Sequence, residues 1–165
     1  LRALRESCSA PFYGNTTEFV KRVNAAQNIL YLADNAGEIA ADRLLIEILG
    51  PHRVTLAVRG KPVINDVTFD DAQYVGMHEL VTIIDNGSDA PGTVLEDCSE
   101  DFRKHFYTAD LIISKGQGNF ETLNNVDRNI AFLFMVKCSV IAKHVGLPEG
   151  THVLIHSSEK GFPEV

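Results

Sequence analysis

The chain has 165 residues, 45% of them hydrophobic and 22% charged, which is enough for one domain with a sizeable apolar core. Its formal net charge of −7 at pH 7 argues against general affinity for nucleic acids, because binding to the phosphate backbone needs a surplus of lysine and arginine. The most apolar run, residues 130–136, is far too short to cross a bilayer. We therefore expect neither nucleic-acid nor membrane partners.

Three cysteines, Cys8, Cys98 and Cys138, lie far apart and form no CxxC or Cys/His pattern. Their odd number and irregular spacing predict neither a disulfide framework nor a zinc knuckle. Reduced thiols are typical of the cytoplasm, which is the location we expect. The chain starts with leucine inside what looks like a helix over residues 1–9. We expect residues 1–165 to be a single α/β domain that lacks an N-terminal helical region.

Helical and strand patterns alternate along the chain. A helix is predicted from Asn15, a good cap residue, to about residue 26, and a buried strand over residues 28–32 follows. The next helix is predicted from Gly37 and ends before Gly50. Further strands are predicted over residues 54–58, 81–84, 111–114, 131–134 and 153–155, with further helices over roughly 68–75, 99–107, 118–125 and 138–145.

This alternation predicts an α/β fold of three layers, in which helices cover both faces of a mostly parallel, Rossmann-like sheet. In such sheets ligands bind at the carboxyl ends of the strands. Polar segments follow four of the predicted strands, at residues 34–35, 59–61, 85–87 and 115–119. We expect the first, second and fourth of these segments to converge on one cleft.

The first polar segment belongs to the stretch DNAGE at residues 34–38, at a predicted strand-to-helix junction. Asp34 and Asn35 offer a carboxylate and an amide oxygen where a helix begins, a position that also favours an anion. Such oxygen ligands suit Mg²⁺ or Mn²⁺ and a phosphate that bridges to the ion. The alternative is that one of the two residues only caps the helix.

A second oxygen-rich turn, KPVINDVT at residues 61–68, also follows a strand. Asp66 in this turn is a candidate to supply a second carboxylate to the same metal ion, and Asp70 lies close behind it. Its alternative role is that of a turn or cap residue before the helix predicted near residue 68.

The third segment, SKGQGNF at residues 114–120, ends a strand with Lys115 and two glycines, Gly116 and Gly118. Backbone N–H groups of such a turn can cradle phosphate oxygens while the ammonium group neutralises charge. The segment is not a GxGxxG fingerprint, because Glu121 stands where glycine is needed, and it is not a P-loop, because the lysine precedes the glycine. A plain tight turn is the alternative.

Taken in this order, the three segments resemble the damage-control phosphatase family, which was first described as a domain of unknown function. The resemblance covers about residues 28–156 and is closest to the stand-alone branch. It implies metal-dependent removal of phosphate from small phosphorylated metabolites, often damaged ones. It also implies an N-terminal helical region, of which we expect only the last turn here, and Mn²⁺, Mg²⁺, Co²⁺ or Ni²⁺ as cofactor.

The resemblance further implies roles for individual residues. A divalent metal ion is expected on Asp34, Asn35 and Asp66, and the phosphate on Lys115. In the favoured mechanism water attacks the metal-held phosphate and Lys115 stabilises the developing charge. Glu38 or Asp70 is expected to orient that water, and the expected substrate contacts are Gly116, Gly118, Asn119 and Arg59.

Two alternatives to this mechanism stay open. In the first, Asp34 is a covalent nucleophile, as in haloacid-dehalogenase-like phosphatases, although those enzymes carry a second aspartate where this chain has Ala36. In the second, the chain is a module that binds phosphate or a nucleotide without turnover. Phosphate release measured with and without Mn²⁺ separates the second alternative from catalysis.

Overall fold

The computed structural model describes residues 9–158, so most of the helix predicted over residues 1–9 lies outside the described residues. The strands are β1 (Phe12–Gly14), β2 (Ile29–Leu32), β3 (Val54–Val58), β4 (Thr82–Asp85), β5 (Leu111–Lys115), β6 (Ile130–Met135) and β7 (His152–His156). The helices are α1 (Thr16–Ala25), α2 (Ile39–Leu49), α3 (Phe69–Tyr74), α4 (Glu100–Thr108), α5 (Gln117–Leu123) and α6 (Ser139–Val145). Short 3₁₀ turns follow α2 and α3 at Pro51–Arg53 and Met77–Glu79.

The described strands form one seven-stranded sheet in the order β1-β7-β6-β5-β2-β3-β4. All neighbouring pairs are parallel except β6 and β7, which confirms the prediction of a mostly parallel sheet. The exception arises because the chain after α6 turns back beside the end of β6, where the N–H of Gly150 donates to the carbonyl of Val136 at 2.8 Å. Strand β7 therefore starts where β6 ends and runs in the opposite direction.

Two apolar layers, one on each face of the sheet, confirm the predicted three-layer architecture. Along β2, Ile29 and Tyr31 pack into the layer that contains the buried side chains of α1, α2 and α3. The intervening Leu30 and Leu32 pack into the opposite layer, with those of α4, α5 and α6. Burial of one large apolar side chain contributes about 1.5–3 kcal/mol, so a strand that is apolar on both faces is held centrally in the sheet.

Side-chain caps fix several of the predicted helix starts. The side chain of Asn15 accepts a hydrogen bond from the N–H of Glu18 at 2.9 Å, and that of Ser99 accepts one from the N–H of Phe102 at 3.1 Å. The helix predicted from Gly37 instead begins at Ile39, because a turn closed on Asn35 occupies the intervening residues. No helix within residues 9–158 is long and apolar enough to cross a membrane.

Cys98 lies in the apolar layer beside α4, and burial raises the pKa of its thiol to about 11. It is therefore protonated and unreactive at neutral pH, whereas the half-buried Cys138 is more accessible. In a Cys8→Ser variant at about pH 8 we expect a thiol-disulfide reagent to modify Cys138 in the native protein and Cys98 only after unfolding. Modification of both thiols at one rate in the native state would contradict this assignment.

Candidate active site

The order of the strands creates a crevice between the carboxyl ends of β2 and β5. The chain leaves β2 towards β3 and β4 on one side and then crosses to β5 on the other, so β2 and β5 are neighbours that mark a reversal of strand order. In open α/β sheets ligands bind outside the carboxyl ends of the strands at such a reversal. Asp34 follows β2 at this edge, and Lys115 ends β5.

The loops after β2 and β3 are joined directly at the same edge. The N–H of Ala36 donates to the carbonyl of Asn65 at 3.0 Å, and the N–H of Val67 donates to the carbonyl of Asp34 at 2.9 Å. Between these bonds Asn35 and Asp66 form an isolated antiparallel bridge. Asp34, Asn35 and Asp66 therefore lie on adjoining loops at one edge of the sheet, and their sharing of one metal ion stays a prediction.

The carboxyl group of Asp34 sits in an unfavourable environment for a lone negative charge. Its pKa is raised to about 6, first because the side chain is buried and then because the carboxylates of Asp66 and Glu38 lie nearby. Lys137 and Arg59 oppose the shift without cancelling it. A cation bound between the acidic groups would relieve this repulsion.

Gly116, just after β5, packs against the side chain of Asp34. Its φ is +81°, and a Cβ atom at this position would lie 2.0 Å from Cγ of Asp34. Only a glycine allows the backbone of the turn to approach the carboxylate this closely. The turn after β5 is thus in direct contact with the loop after β2.

We expect Gly116→Ala to destabilise the protein and to displace Asp34. Gly150→Ala is a matched control, since Gly150 has a φ of +85° but no atom of residues 9–158 lies within 4 Å of the position of its Cβ atom. The backbone strain alone costs of order 1–3 kcal/mol in each variant. Urea unfolding and Mn²⁺ titration should show a larger loss of both stability and metal affinity for Gly116→Ala, and equal losses would contradict the close contact.

Arg59 and Asn119 form a buried polar network beneath the site. Arg59 is 4% exposed, and its guanidinium donates to Oδ2 of Asp66 at 2.6 Å and to Oδ1 of Asn119 at 3.1 Å. Asn119 is 0% exposed and also accepts from the Thr93 hydroxyl at 2.8 Å. Its amide nitrogen donates to the carbonyl of Lys115 at 2.8 Å. Both side chains are thus occupied by protein partners, and their contact with a substrate stays a prediction.

Lys115 is held by two carboxylates of the neighbouring α2 region. Its Nζ lies 2.6 Å from Oδ1 of Asp42 and 3.4 Å from Oε1 of Glu38. Burial by itself lowers the pKa of Lys115, but Asp42 and Glu38 outweigh that effect and raise it above its ordinary value, so the side chain is an ammonium. The hydroxyl of Tyr31 donates to the same Oδ1 of Asp42 at 2.7 Å.

A cleft of about 790 Å³ opens at this edge of the sheet. Its polar end contains Asp34, Glu38, Lys115 and Lys137, and its apolar wall includes residues of β6 and β7. The sequence interpretation missed Lys137, which is exposed and lies just after β6. Ligands bind at the carboxyl ends of parallel strands, and Lys137 follows a predicted strand. Its position in the sequence therefore could have identified it as a candidate.

The remaining predicted residues lie at different distances from this polar end. Glu38 lines the cleft, and its side chain is 40% exposed. Gly118 lies in the first turn of α5. Its carbonyl oxygen packs so closely against Gly92 that a Cβ atom added to Gly92 would lie 2.5 Å from it. Asp70 is exposed in the first turn of α3, and within residues 9–158 its side chain makes no hydrogen bond or ion pair to the other candidates. Its role as a water-orienting group therefore stays a prediction.

Asp34, Asn35 and Asp66 offer carboxylate and amide oxygens, which are the ligands that a hard divalent cation prefers, and their binding of a metal ion stays a prediction. The described residues contain no group of three or more His, Cys, Asp or Glu side chains arranged for a metal ion, and this set has only two carboxylates beside an amide. Asn35 Oδ1 already accepts from the N–H of Gly37 at 2.7 Å, but an amide oxygen has a second lone pair. One oxygen of Asp66 pairs with Arg59, which leaves the other for a metal ion.

A sequence model of the damage-control phosphatase ARMT1-like domain matches residues 2–153 and includes every residue of this site. The chain belongs to the damage-control phosphatase family. A crystal structure of a DUF89 family protein from Pyrococcus horikoshii has the same fold as this family member, with a TM-score of 0.83, 36% sequence identity and coverage of 90% of this chain and 53% of that one.

Curated relatives of this damage-control phosphatase domain come from archaea. A damage-control phosphatase of P. horikoshii is 37% identical over 153 residues, which are 90% of this chain and 53% of the relative. A damage-control phosphatase of Archaeoglobus fulgidus is 35% identical over 143 residues, 84% of this chain and 49% of the relative. An uncharacterized protein of Methanocaldococcus jannaschii is 42% identical over 135 residues, 78% of this chain and 44% of the relative. The chain thus spans about half the length of the curated relatives it matches.

Proposed function

We propose that this chain is the catalytic core of a divalent-metal-dependent phosphatase that hydrolyses small phosphorylated metabolites. The observation that carries the proposal is that the acidic loops of Asp34 and Asp66 lie beside Lys115 at the edge of the sheet where the strand order reverses. Asp34 lies in contact with the turn of Lys115 on one side, and on the other its carbonyl accepts from the N–H of Val67 in the loop of Asp66. Membership of the damage-control phosphatase family supports the same reaction. We also propose a cytoplasmic location, which suits the thiols of Cys98 and Cys138, both of which are free within the described residues 9–158.

In this proposal Asp34, Asn35 and Asp66 hold the metal ion, with Mn²⁺, Mg²⁺, Co²⁺ or Ni²⁺ as candidates. When bound, such an ion polarises the phosphate and neutralises part of its charge. Arg59 fixes the side chain of Asp66 through their 2.6 Å ion pair. Because Gly116 has no side chain, the turn after β5 can approach Asp34 closely.

The cationic side chains of the cleft are assigned to the phosphate. Lys115 and Lys137 both line it, and each ammonium can donate to phosphate oxygens whose charge increases during phosphoryl transfer. Glu38, half-exposed beside Lys115, is the candidate to orient the attacking water. Gly118, Asn119 and Asp70 keep their proposed roles as substrate contacts and as an alternative water-orienting group.

Phosphate release by the full-length protein tests this function. We expect release from small phosphomonoesters in the presence of Mn²⁺ and little release after chelation of the metal. A covalent mechanism through Asp34 would instead produce a phosphoaspartate that hydroxylamine traps after rapid mixing. Binding of the phosphoester with no release at any metal concentration would favour a module without turnover and would contradict the proposal.

Lys137→Met should weaken the interaction with phosphate in the same assay. A hydrogen bond to a charged group contributes about 1.5–3 kcal/mol, so we expect a loss of roughly 10- to 100-fold in kcat/KM. Lys21→Met is the matched control, because that side chain is 78% exposed on α1 and lies outside the cleft. Equal kinetics for the two variants would remove Lys137 from the site.

A further inference from the structure

A buried carboxylate that belongs neither to the metal set nor to the substrate contacts lies directly behind Lys115. Asp42 is 4% exposed, in the first turn of α2. Its Oδ1 receives two donors, the Tyr31 hydroxyl at 2.7 Å and the Lys115 ammonium at 2.6 Å. Its Oδ2 is buried and has no hydrogen-bond partner within residues 9–158. A carboxylate with only half of its acceptors satisfied is expensive to bury, so a role beyond packing is indicated.

The two carboxylates beside Lys115 are not equivalent. Glu38 lies at the longer distance, 3.4 Å, and its side chain is 40% exposed to the cleft. The contact with Asp42 is 0.8 Å shorter, being 2.6 Å, and the Asp42 side chain is 4% exposed. Solvent screens a pair with an exposed partner much more than a buried pair. Lys115 is therefore anchored to Asp42 and only loosely held by Glu38.

Tyr31 ties this anchor to the centre of the sheet. The residue lies on β2 with 0% exposure, and burial together with Asp42 raises the pKa of its hydroxyl, which keeps it a hydrogen-bond donor. The hydrogen bond from Tyr31, which lies in the sheet, holds the carboxylate of Asp42, and the backbone of Asp42 is held in α2. An ammonium has three donors, so the bond to Asp42 leaves two that can reach the cleft.

We propose that Asp42, fixed by Tyr31, is a positioning residue that aims the ammonium of Lys115 into the cleft, where a phosphate oxygen replaces Glu38 as its second partner. The proposal rests on the proposed phosphatase function. Asp42 does not touch the substrate in this arrangement and acts only through Lys115. A flexible lysine held at one donor loses little further freedom when it meets the phosphate, which favours the reaction.

A double-mutant cycle in the full-length protein tests the dependence of Asp42 on Lys115. Asp42→Asn keeps an acceptor of the same shape but removes the charge, and we expect kcat on p-nitrophenyl phosphate with Mn²⁺ to fall by roughly 10- to 100-fold, with a smaller change in KM. In the Lys115→Met background the same substitution should change kcat by less than about twofold. An undiminished effect of Asp42→Asn in that background would overturn the proposal.

Asp110→Asn is the control for a merely structural effect. Its carboxylate accepts the N–H groups of Gln27 and Asn28 at 2.9 and 2.8 Å, next to the amino ends of β2 and β5 and so at the edge of the sheet away from the cleft. The Asp110→Asn substitution should lower the free energy of unfolding without changing kcat. If Asp42→Asn does not fold, Tyr31→Phe takes its place in the cycle, with an expected loss of several-fold in kcat.

Chemical labelling of Lys115 separates failure of this proposal from failure of the proposed function, because it needs no activity. Removal of the Asp42 charge should raise the fraction of free amine and therefore the rate of acylation at Lys115 measured by mass spectrometry, about tenfold for each unit by which its pKa falls. Glu38→Gln should raise that rate less, since its contact is longer and exposed. Equal labelling of Lys115 in wild type and Asp42→Asn would overturn the anchoring role, whether or not the wild type hydrolyses phosphate.

Discussion

Asp34→Ala should abolish metal-dependent phosphate release while leaving the fold intact. The substitution removes a carboxylate from the proposed metal set, and it also relieves a buried charge that neighbouring carboxylates already disfavour. The loss of a ligand at a hard-cation site removes the charge that holds the phosphate. Isothermal titration with Mn²⁺ beside an activity assay on the full-length protein measures both effects.

The companion substitution at Asp66 needs more care, because this carboxylate also neutralises the buried Arg59. Asp66→Ala leaves that guanidinium unpaired and combines loss of the metal with loss of stability. Asp66→Asn keeps a hydrogen-bond acceptor for Arg59 and is the better test of ligation. Full activity of Asp34→Ala or Asp66→Asn under limiting Mn²⁺ would exclude that residue as a metal ligand.

Lys115→Met should keep metal affinity and lose turnover. A protonated ammonium has donors but no lone pair to coordinate an ion, so we assign Lys115 to the phosphate. Removal of one group that stabilises developing charge typically costs roughly 10² to 10³ in rate, and we expect the loss mainly in kcat. A metal titration and steady-state kinetics on the same variant measure the two effects. An unchanged rate with weakened Mn²⁺ binding would show that the lysine serves the metal site instead.

The same variant carries a cost in stability that must be separated from catalysis. Without Lys115 the buried carboxylate of Asp42 has no ion-pair partner within residues 9–158, and breaking a buried ion pair in this way costs up to about 3–5 kcal/mol. Lys115→Met combined with Asp42→Asn removes both charges and should recover much of that stability in urea unfolding. The turnover should stay low in the double variant, because the ammonium is still absent.

Most of the fold follows from the sequence, because buried strands and amphipathic helices have local periodic patterns. Strand β2 is apolar at four consecutive positions, which is what burial on both faces requires. Strand β1 was not predicted because its three residues are exposed and, among the described strands, it pairs with β7 alone at the edge of the sheet. Its pairing depends on a neighbour far along the chain, and no local pattern encodes that.

The sequence by itself also indicated which turns form the candidate site. Asp34, Asp66 and Lys115 each follow or end a predicted strand, and parallel strands put these ends on one edge of the sheet. The tertiary structure decided how they are paired. Asp42 looks like an ordinary surface charge in α2 until β5 is placed beside β2, which brings Lys115 onto it. Strand order comes from long-range packing and crossover connections, and residue type and spacing along the chain do not specify it. The burial of Arg59 and Asn119 has the same origin, since their partners come from separate loops that meet only in the folded sheet.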